Sequence, residues 1–307
     1  MSDDQDTEPS TDLSVEANGL EFECLRAGGG DRLALCLHGF PDDASSMRPV
    51  LERLADAGFT AVAPYTRGYA PTDPAPDGDY SARALGADAV ALAEALPEAL
   101  DTDAGAPVLV GHDWGAVAAY AADRVDPDAF ERMATMAVPP GFEALLLEHP
   151  RQLLRSWYMW LFQLPDVPER ALRWREFALV EFLWGLWSPG WDHPDERIEA
   201  VKETFRTDDT ADHAVQYYRD TVRPQVSSLV GSLLRRDPPS VEDVAPVRTP
   251  TLVIAGGRDG CIGPEMFEHA DEIIEECRVV HVRDAGHFMH QERPDVVGRE
   301  LVSFLTD

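Results

Sequence analysis

The apolar run Pro107-Val108-Leu109-Val110 passes directly into Gly111-His112-Asp113-Trp114-Gly115, then into the small-residue stretch Ala116-Val117-Ala118-Ala119-Tyr120. A buried strand, a sharp turn and a helix in immediate succession constrain the fold more than any other segment. The helix can pack this close to the strand only if the turn is flanked by small residues. The residue at the tip then sits in strained backbone. This is the G-x-S-x-G pattern of a nucleophile elbow, with aspartate in the serine position. The aspartate changes the chemistry. A carboxylate attacking an acyl carbon makes a reactive anhydride, whereas one attacking a saturated carbon makes an ordinary ester that water can cleave. Asp113 therefore reads as a nucleophile for an sp3 electrophile such as an epoxide or an alkyl halide.

Three further segments complete a set. Leu33-Ala34-Leu35-Cys36-Leu37 reads as a buried strand running into His38-Gly39-Phe40-Pro41-Asp42. A loop of this kind supplies one backbone N–H of an oxyanion hole, here that of Phe40, and the residue after the nucleophile, Trp114, supplies the second. The Phe40 ring is expected to wall the site. Pro41 can hold the turn rigidly, a cis peptide bond being one way to do so. Pro250-Thr251-Leu252-Val253-Ile254-Ala255 is another short apolar run and places Asp259 at a strand's carboxyl end. Arg278-Val279-Val280-His281-Val282 is a further strand, followed by Asp284-Ala285-Gly286-His287-Phe288. Open parallel sheets carry their active sites at that edge. The order Asp113, Asp259, His287 is nucleophile, acid, base. His287 would activate water, and Asp259 would fix its tautomer and stabilise the imidazolium. Of the nine histidines, His112 and His38 are expected to be structural and His281 to lie within a strand. His290 is the remaining rival for the base.

With these residues in place the chain resembles the α/β-hydrolase superfamily and, more narrowly, the epoxide hydrolases with an aspartate nucleophile. The resemblance rests on His38–Pro41, Gly111–Gly115, Gly257–Asp259 and Gly286–His287. Haloalkane and haloacetate dehalogenases share the Asp113-type chemistry. Phe40 stands where one dehalogenase branch has Asn, and Ala116 replaces the usual glycine after the elbow.

From Pro139-Pro140-Gly141 to about Pro246 there is no strand-like alternation, and every tryptophan except Trp114 falls here. The stretch reads as an inserted helical cap over residues 140–245, between core segments 15–139 and 246–307. Ser156-Trp157-Tyr158-Met159-Trp160 and Gln216-Tyr217-Tyr218-Arg219-Asp220 resemble cap signatures of the epoxide hydrolases. The resemblance implies that one tyrosine from each, Tyr158 and Tyr218, holds the epoxide oxygen, with Tyr217 the fallback for the second. Pro41, Trp157 and Phe288 are expected to line the substrate pocket. Ring opening develops an alkoxide, which two neutral phenols can stabilise. A departing halide needs no proton and is held by indole or amide N–H groups, and Trp114, Trp157 and Trp160 keep that alternative open. A hydrolase-fold protein that binds without turnover is the third reading, and the intact triad argues against it.

Composition sets outer bounds. Fifty-six acidic against 26 basic residues give a net charge of −30, and Lys202 is the only lysine. Nucleic acid and anionic membranes are poor partners for such a surface. At about 1 M salt the Debye length falls to ~3 Å and self-repulsion is screened, so the chain reads as a halophile's cytoplasmic protein. No run of about 18 apolar residues is present. Residues 1–14 read as a disordered acidic tail without an apolar signal core. Cys24, Cys36, Cys261 and Cys277 lack C-x-x-C pairing and read as reduced thiols. No cofactor or metal is expected.

A coarse pass finds a sheet beginning at Phe22–Leu25, a hairpin-like turn at Gly28-Gly29-Gly30-Asp31 and a helix over Met47–Ala57. Leu85, Ala89, Leu92 and Leu96 share one helix face, and Pro294–Leu305 closes the chain as a helix. Strand–helix alternation predicts a doubly wound, mainly parallel α/β sheet with the cap inserted. The expected substrates are a small-molecule epoxide and water, and the expected product a vicinal diol.

Overall fold

The computed structural model describes residues 10–307 apart from 147–148 and 236–239, and the side chains in that range except those at 10–12, 226–235 and 242. Eight strands form one sheet: β1 (Ser10–Ala17), β2 (Leu20–Ala27), β3 (Arg32–Leu37), β4 (Phe59–Pro64), β5 (Val108–His112), β6 (Met133–Met136), β7 (Thr251–Gly256) and β8 (Cys277–Val282). Their spatial order is β1-β2-β4-β3-β5-β6-β7-β8. The pairings from β4 through β8 are parallel, while β1 and β2 pair antiparallel. Parallel strands covered on both faces read as unbroken apolar runs. Strands β4 to β7 follow that rule and are buried at every residue.

Ser10–Ser14, which the sequence reading assigns to the acidic tail 1–14, belong to β1, which pairs with β2; residues 1–9 lie outside the described residues. The glycine run 28–31 is no hairpin. It leads from β2 to β3, which are separated in the sheet by β4. The hairpin is one turn earlier, at Asn18-Gly19, where both residues have positive φ. That is the geometry a two-residue hairpin demands.

Helices cover both faces. Ala82–Ala99 and Trp114–Val125 pack together on one side of the sheet, and Arg48–Asp56 and Pro294–Leu305 on the other. Each side has its own apolar cluster. Between β6 and β7 the described residues form only helices, among them Pro150–Arg155, Trp157–Leu161, Ala178–Trp187, Asp195–Arg206 and Thr210–Arg235. Their buried residues, including Tyr158, Phe162, Trp184 and Phe205, join the first cluster of the core. The insertion is pinned to loops that leave the carboxyl ends of the strands. Trp184 donates its indole N–H to Pro41 O at 2.8 Å, and Gln152 Nε2 donates to Cys261 O at 2.8 Å. Arg197 pairs with Asp42 and Asp43.

Candidate active site

Asp113 stands between β5 and the helix Trp114–Val125 with φ 52° and ψ −111°. A branched polar residue in this sparsely populated region is strained unless its surroundings enforce it. They do so at close range. The Asp113 N–H donates to Met136 O at 3.1 Å, and its carbonyl accepts from Ala116 and Val117. A Cβ on Gly115 would lie 2.1 Å from Leu37 O, so the helix reaches the strand only with glycine there.

The loop after β3 lies directly against this elbow. The Phe40 N–H donates to Asp113 Oδ1 at 2.7 Å. A Cβ on Gly39 would meet the Asp113 Cβ at 2.4 Å. One carboxylate oxygen therefore already rests on a backbone donor. Trp114 opens the helix, where backbone N–H groups have no partner within the helix. The Phe40–Pro41 peptide is cis.

The other oxygen faces His287. Asp113 Oδ2 is 3.6 Å from His287 Nε2, and His287 Nδ1 is 2.9 Å from Asp259 Oδ2. Asp259 Oδ1 in turn accepts the backbone N–H groups of Cys261 at 2.7 Å and Ile262 at 2.9 Å. His287 is fully buried. Burial disfavours its charged form, but the Asp259 carboxylate, with Asp113 on the other side, outweighs it and pushes the imidazole up to about 10. The two flanking carboxylates thus favour the charged form of the ring.

Other histidines behave differently. Burial brings His112 down to about 3 and His38 down to about 4. His112 Nε2 lies 3.0 Å from His287 O, and His38 Nε2 accepts from Thr66 N at 3.1 Å. His290 packs on His112, with ring centroids 4.3 Å apart.

From the helical insertion, Tyr158 and Tyr218 come together with ring centroids 5.7 Å apart. The Tyr218 ring packs edge-on to Phe40 and Trp114. Its hydroxyl is buried and finds no hydrogen-bond partner among the described residues. Tyr158 Oη lies 3.3 Å from Cys261 Sγ. Both phenols are held well above their ordinary range, chiefly by burial, with Cys261 adding to Tyr158 and the Asp113 charge to Tyr218. They are protonated donors. Tyr217 is turned away and donates to Arg67 O at 2.8 Å.

The expected pocket wall is drawn differently. Trp157 is 36% exposed, and its ring packs on that of Tyr158. It lies on the outer side of a short helix whose next residue, Tyr158, points inward. Pro41 offers its carbonyl to Trp184, and Phe288 is wedged among His112, His287 and Trp184. The aromatics that meet Phe40 are Phe162, Trp187, Phe205 and Tyr218. Sequence reasoning missed Trp187. Its ring is 5.0 Å from that of His287. Its carbonyl accepts from both His287 N and Gly260 N, tying the base loop to the acid loop. The signal was the Trp184–Trp187 spacing on one helix face, which cannot by itself be told from core packing.

Asp, His and Asp on three strand-end loops of a mainly parallel sheet, with helices inserted before β7, describe a hydrolase of the α/β class. The sequence matches the α/β-hydrolase fold family over residues 35–294, and the chain belongs to that family. It is 29% identical to "Epoxide hydrolase A" of Mycobacterium tuberculosis, covering 96% of this chain and 97% of that protein. It is 27% identical to "AB hydrolase superfamily protein YfhM" of Bacillus subtilis, covering 95% and 96%. Among solved structures, Epoxide Hydrolase A from Mycobacterium thermoresistibile superposes with a TM-score of 0.76 at 28% identity, covering 97% of this chain and 98% of that one.

Proposed function

We propose that the protein is an epoxide hydrolase that works through an ester on Asp113. The observation that carries this reading is the pair of buried phenols of Tyr158 and Tyr218, packed edge to face with ring centroids 5.7 Å apart, Tyr218 lying against Trp114, the residue next to Asp113. Asp113 Oδ2 attacks an epoxide carbon, the ring C–O bond breaks, and the departing oxygen stays on the substrate as an alkoxide that the phenols stabilise. Asp113 is then a neutral ester. One of the two charges that hold His287 protonated is gone, so the imidazolium proton passes to the alkoxide, which becomes the hydroxyl of the ester intermediate, and the neutral imidazole left behind is a competent base. His287 takes a proton from water, and the hydroxide attacks the ester carbonyl. The Phe40 N–H, already on Oδ1, and that of Trp114 stabilise the oxyanion. Collapse releases a vicinal diol and restores the carboxylate. In the same reading residues 140–245 act as a cap over the site, and the acidic surface belongs to a cytoplasmic protein of a high-salt organism.

A second reading has its own observation. The indole nitrogens of Trp114 and Trp187 are buried without hydrogen-bond partners among the described residues. Two such donors could hold a departing halide, making the protein a dehalogenase with the same Asp–His–Asp set.

His287→Gln separates the steps. It should accumulate about one equivalent of adduct on the Asp113 peptide when mixed with styrene oxide, read by intact-protein and peptide mass spectrometry. An adduct elsewhere, or none, removes Asp113 from the mechanism. Halide release from a bromoalkane, with no reaction on styrene oxide, would install the second reading.

A further inference from the structure

Cys261 occupies a position that the mechanism above does not use. Its backbone N–H holds Asp259 Oδ1 at 2.7 Å, and its thiol lies 3.3 Å from Tyr158 Oη. Its carbonyl accepts from Gln152 Nε2 at 2.8 Å, and Gln152 Oε1 accepts from Gly263 N at 3.0 Å. The same Gln152 amide donates to Ser156 Oγ, two residues before Tyr158. Gln152, Cys261 and Tyr158 are all buried. The acid loop after β7 and the segment carrying Tyr158 are therefore bolted together, and the thiol is the point where the bolt meets the phenol. Tyr218 has no such contact.

We propose that Cys261 is a positioning residue for ring opening: its thiol aims the Tyr158 phenol and donates to that oxygen while the phenol's own proton turns to the epoxide oxygen. The inference rests on the epoxide reading above. Tyr158 Oη can accept one hydrogen bond while donating another. As the alkoxide forms, the phenol oxygen gains negative character, and a donor behind it strengthens the chain. The sulfur keeps its proton, and no bond to it is made or broken. Burial pushes the thiol well above its ordinary range, with the Asp259 and Asp113 charges acting in the same direction, so the S–H donor persists at working pH. Cys261 thus links two halves of the site: its backbone fixes the acid of the hydrolytic step and its side chain serves the alkylation step.

The test is single-turnover alkylation by styrene oxide, followed by ester breakdown. Cys261→Ala and Cys261→Val both remove the hydrogen bond but change volume in opposite directions. Each should slow alkylation by about five-fold, the size of one modest hydrogen bond, with ester breakdown within about two-fold of wild type. Cys261→Ser should restore alkylation to within about two-fold. On a Tyr158→Phe background, Cys261→Ala should add nothing, because the partner oxygen is gone. Wild-type alkylation rates in both hydrogen-bond-free variants would overturn the proposal. So would a serine variant as slow as alanine, or undiminished slowing on the Tyr158→Phe background. Wild-type protein that never acquires an epoxide adduct would instead overturn the epoxide reading, and this inference with it.

Discussion

At the residue scale the site is governed by which polar groups are already paired. Tyr217 is satisfied by Arg67 O, whereas the neighbouring hydroxyl of Tyr218 has no partner among the described residues. Tyr158→Phe and Tyr218→Phe should each slow alkylation of Asp113 by about 10²–10³, the cost of one oxyanion donor, and the double variant should abolish it. Tyr217→Phe should leave that rate near wild type and cost only about 1 kcal/mol of stability. A double variant that alkylates normally reduces both tyrosines to packing. The charge on His287 yields a second expectation. Its raised value means that the stability it contributes is complete below the ordinary histidine value of about 6.5 and is lost as the pH rises through about 10. Asp113→Asn removes one of the two negative neighbours and should move the His287 titration to lower pH, followed by NMR of the imidazole protons. An unmoved titration would mean that Asp113 does not hold the proton there, and the idea that alkylation frees the base would fall.

At the scale of elements, the elbow works because two chains touch without side chains between them. The helix Trp114–Val125 approaches β3 so closely that a Cβ on Gly115 would sit 2.1 Å from Leu37 O. Backbone on both sides cannot step aside as a flexible side chain would. Gly115→Ala should therefore cost about 3 kcal/mol in denaturant unfolding, the upper part of the usual overpacking range, and any folded fraction should alkylate slowly because Asp113 has been displaced. Wild-type stability in this variant would mean that the strand–helix contact is looser than described. Elements of this kind were legible in the sequence. The apolar run into Gly111, the Ala-rich helix after it and the closing helix Pro294–Leu305 stand where local pattern put them. Gly28-Gly29-Gly30-Asp31 has the composition of a hairpin turn, but whether the strands on either side pair is not a local property, and the strands that do pair are joined at Asn18-Gly19.

At the scale of the whole molecule, charge dominates. A net charge of −30 with a single lysine places most of the surface under mutual repulsion. The main cations near the site are spent internally: Arg67 on Asp88, and Arg197 on Asp42 and Asp43. Tm should climb between about 0.1 M and 2 M KCl, beyond the point where ordinary long-range screening is nearly complete. A Tm that is flat or falling over that range would refute the high-salt reading and leave the catalytic one intact. Among the described residues no helix is long and apolar enough to cross a membrane.

The sequence alone determined the local chemistry: a strand–turn–helix with a carboxylate at its tip, an acid and a histidine each following an apolar run. Those signals survive in one dimension because tight turns and buried strands restrict their residues locally. Tertiary structure decided which side chains face one another. Consecutive helical residues point about 100° apart, so only the packing of Thr210–Arg235 could turn Tyr217 to Arg67 and Tyr218 to Phe40. The same holds for Trp187 and Cys261. Their neighbours lie on elements far away in the chain, and no spacing within their own segments encodes the distance across the gap.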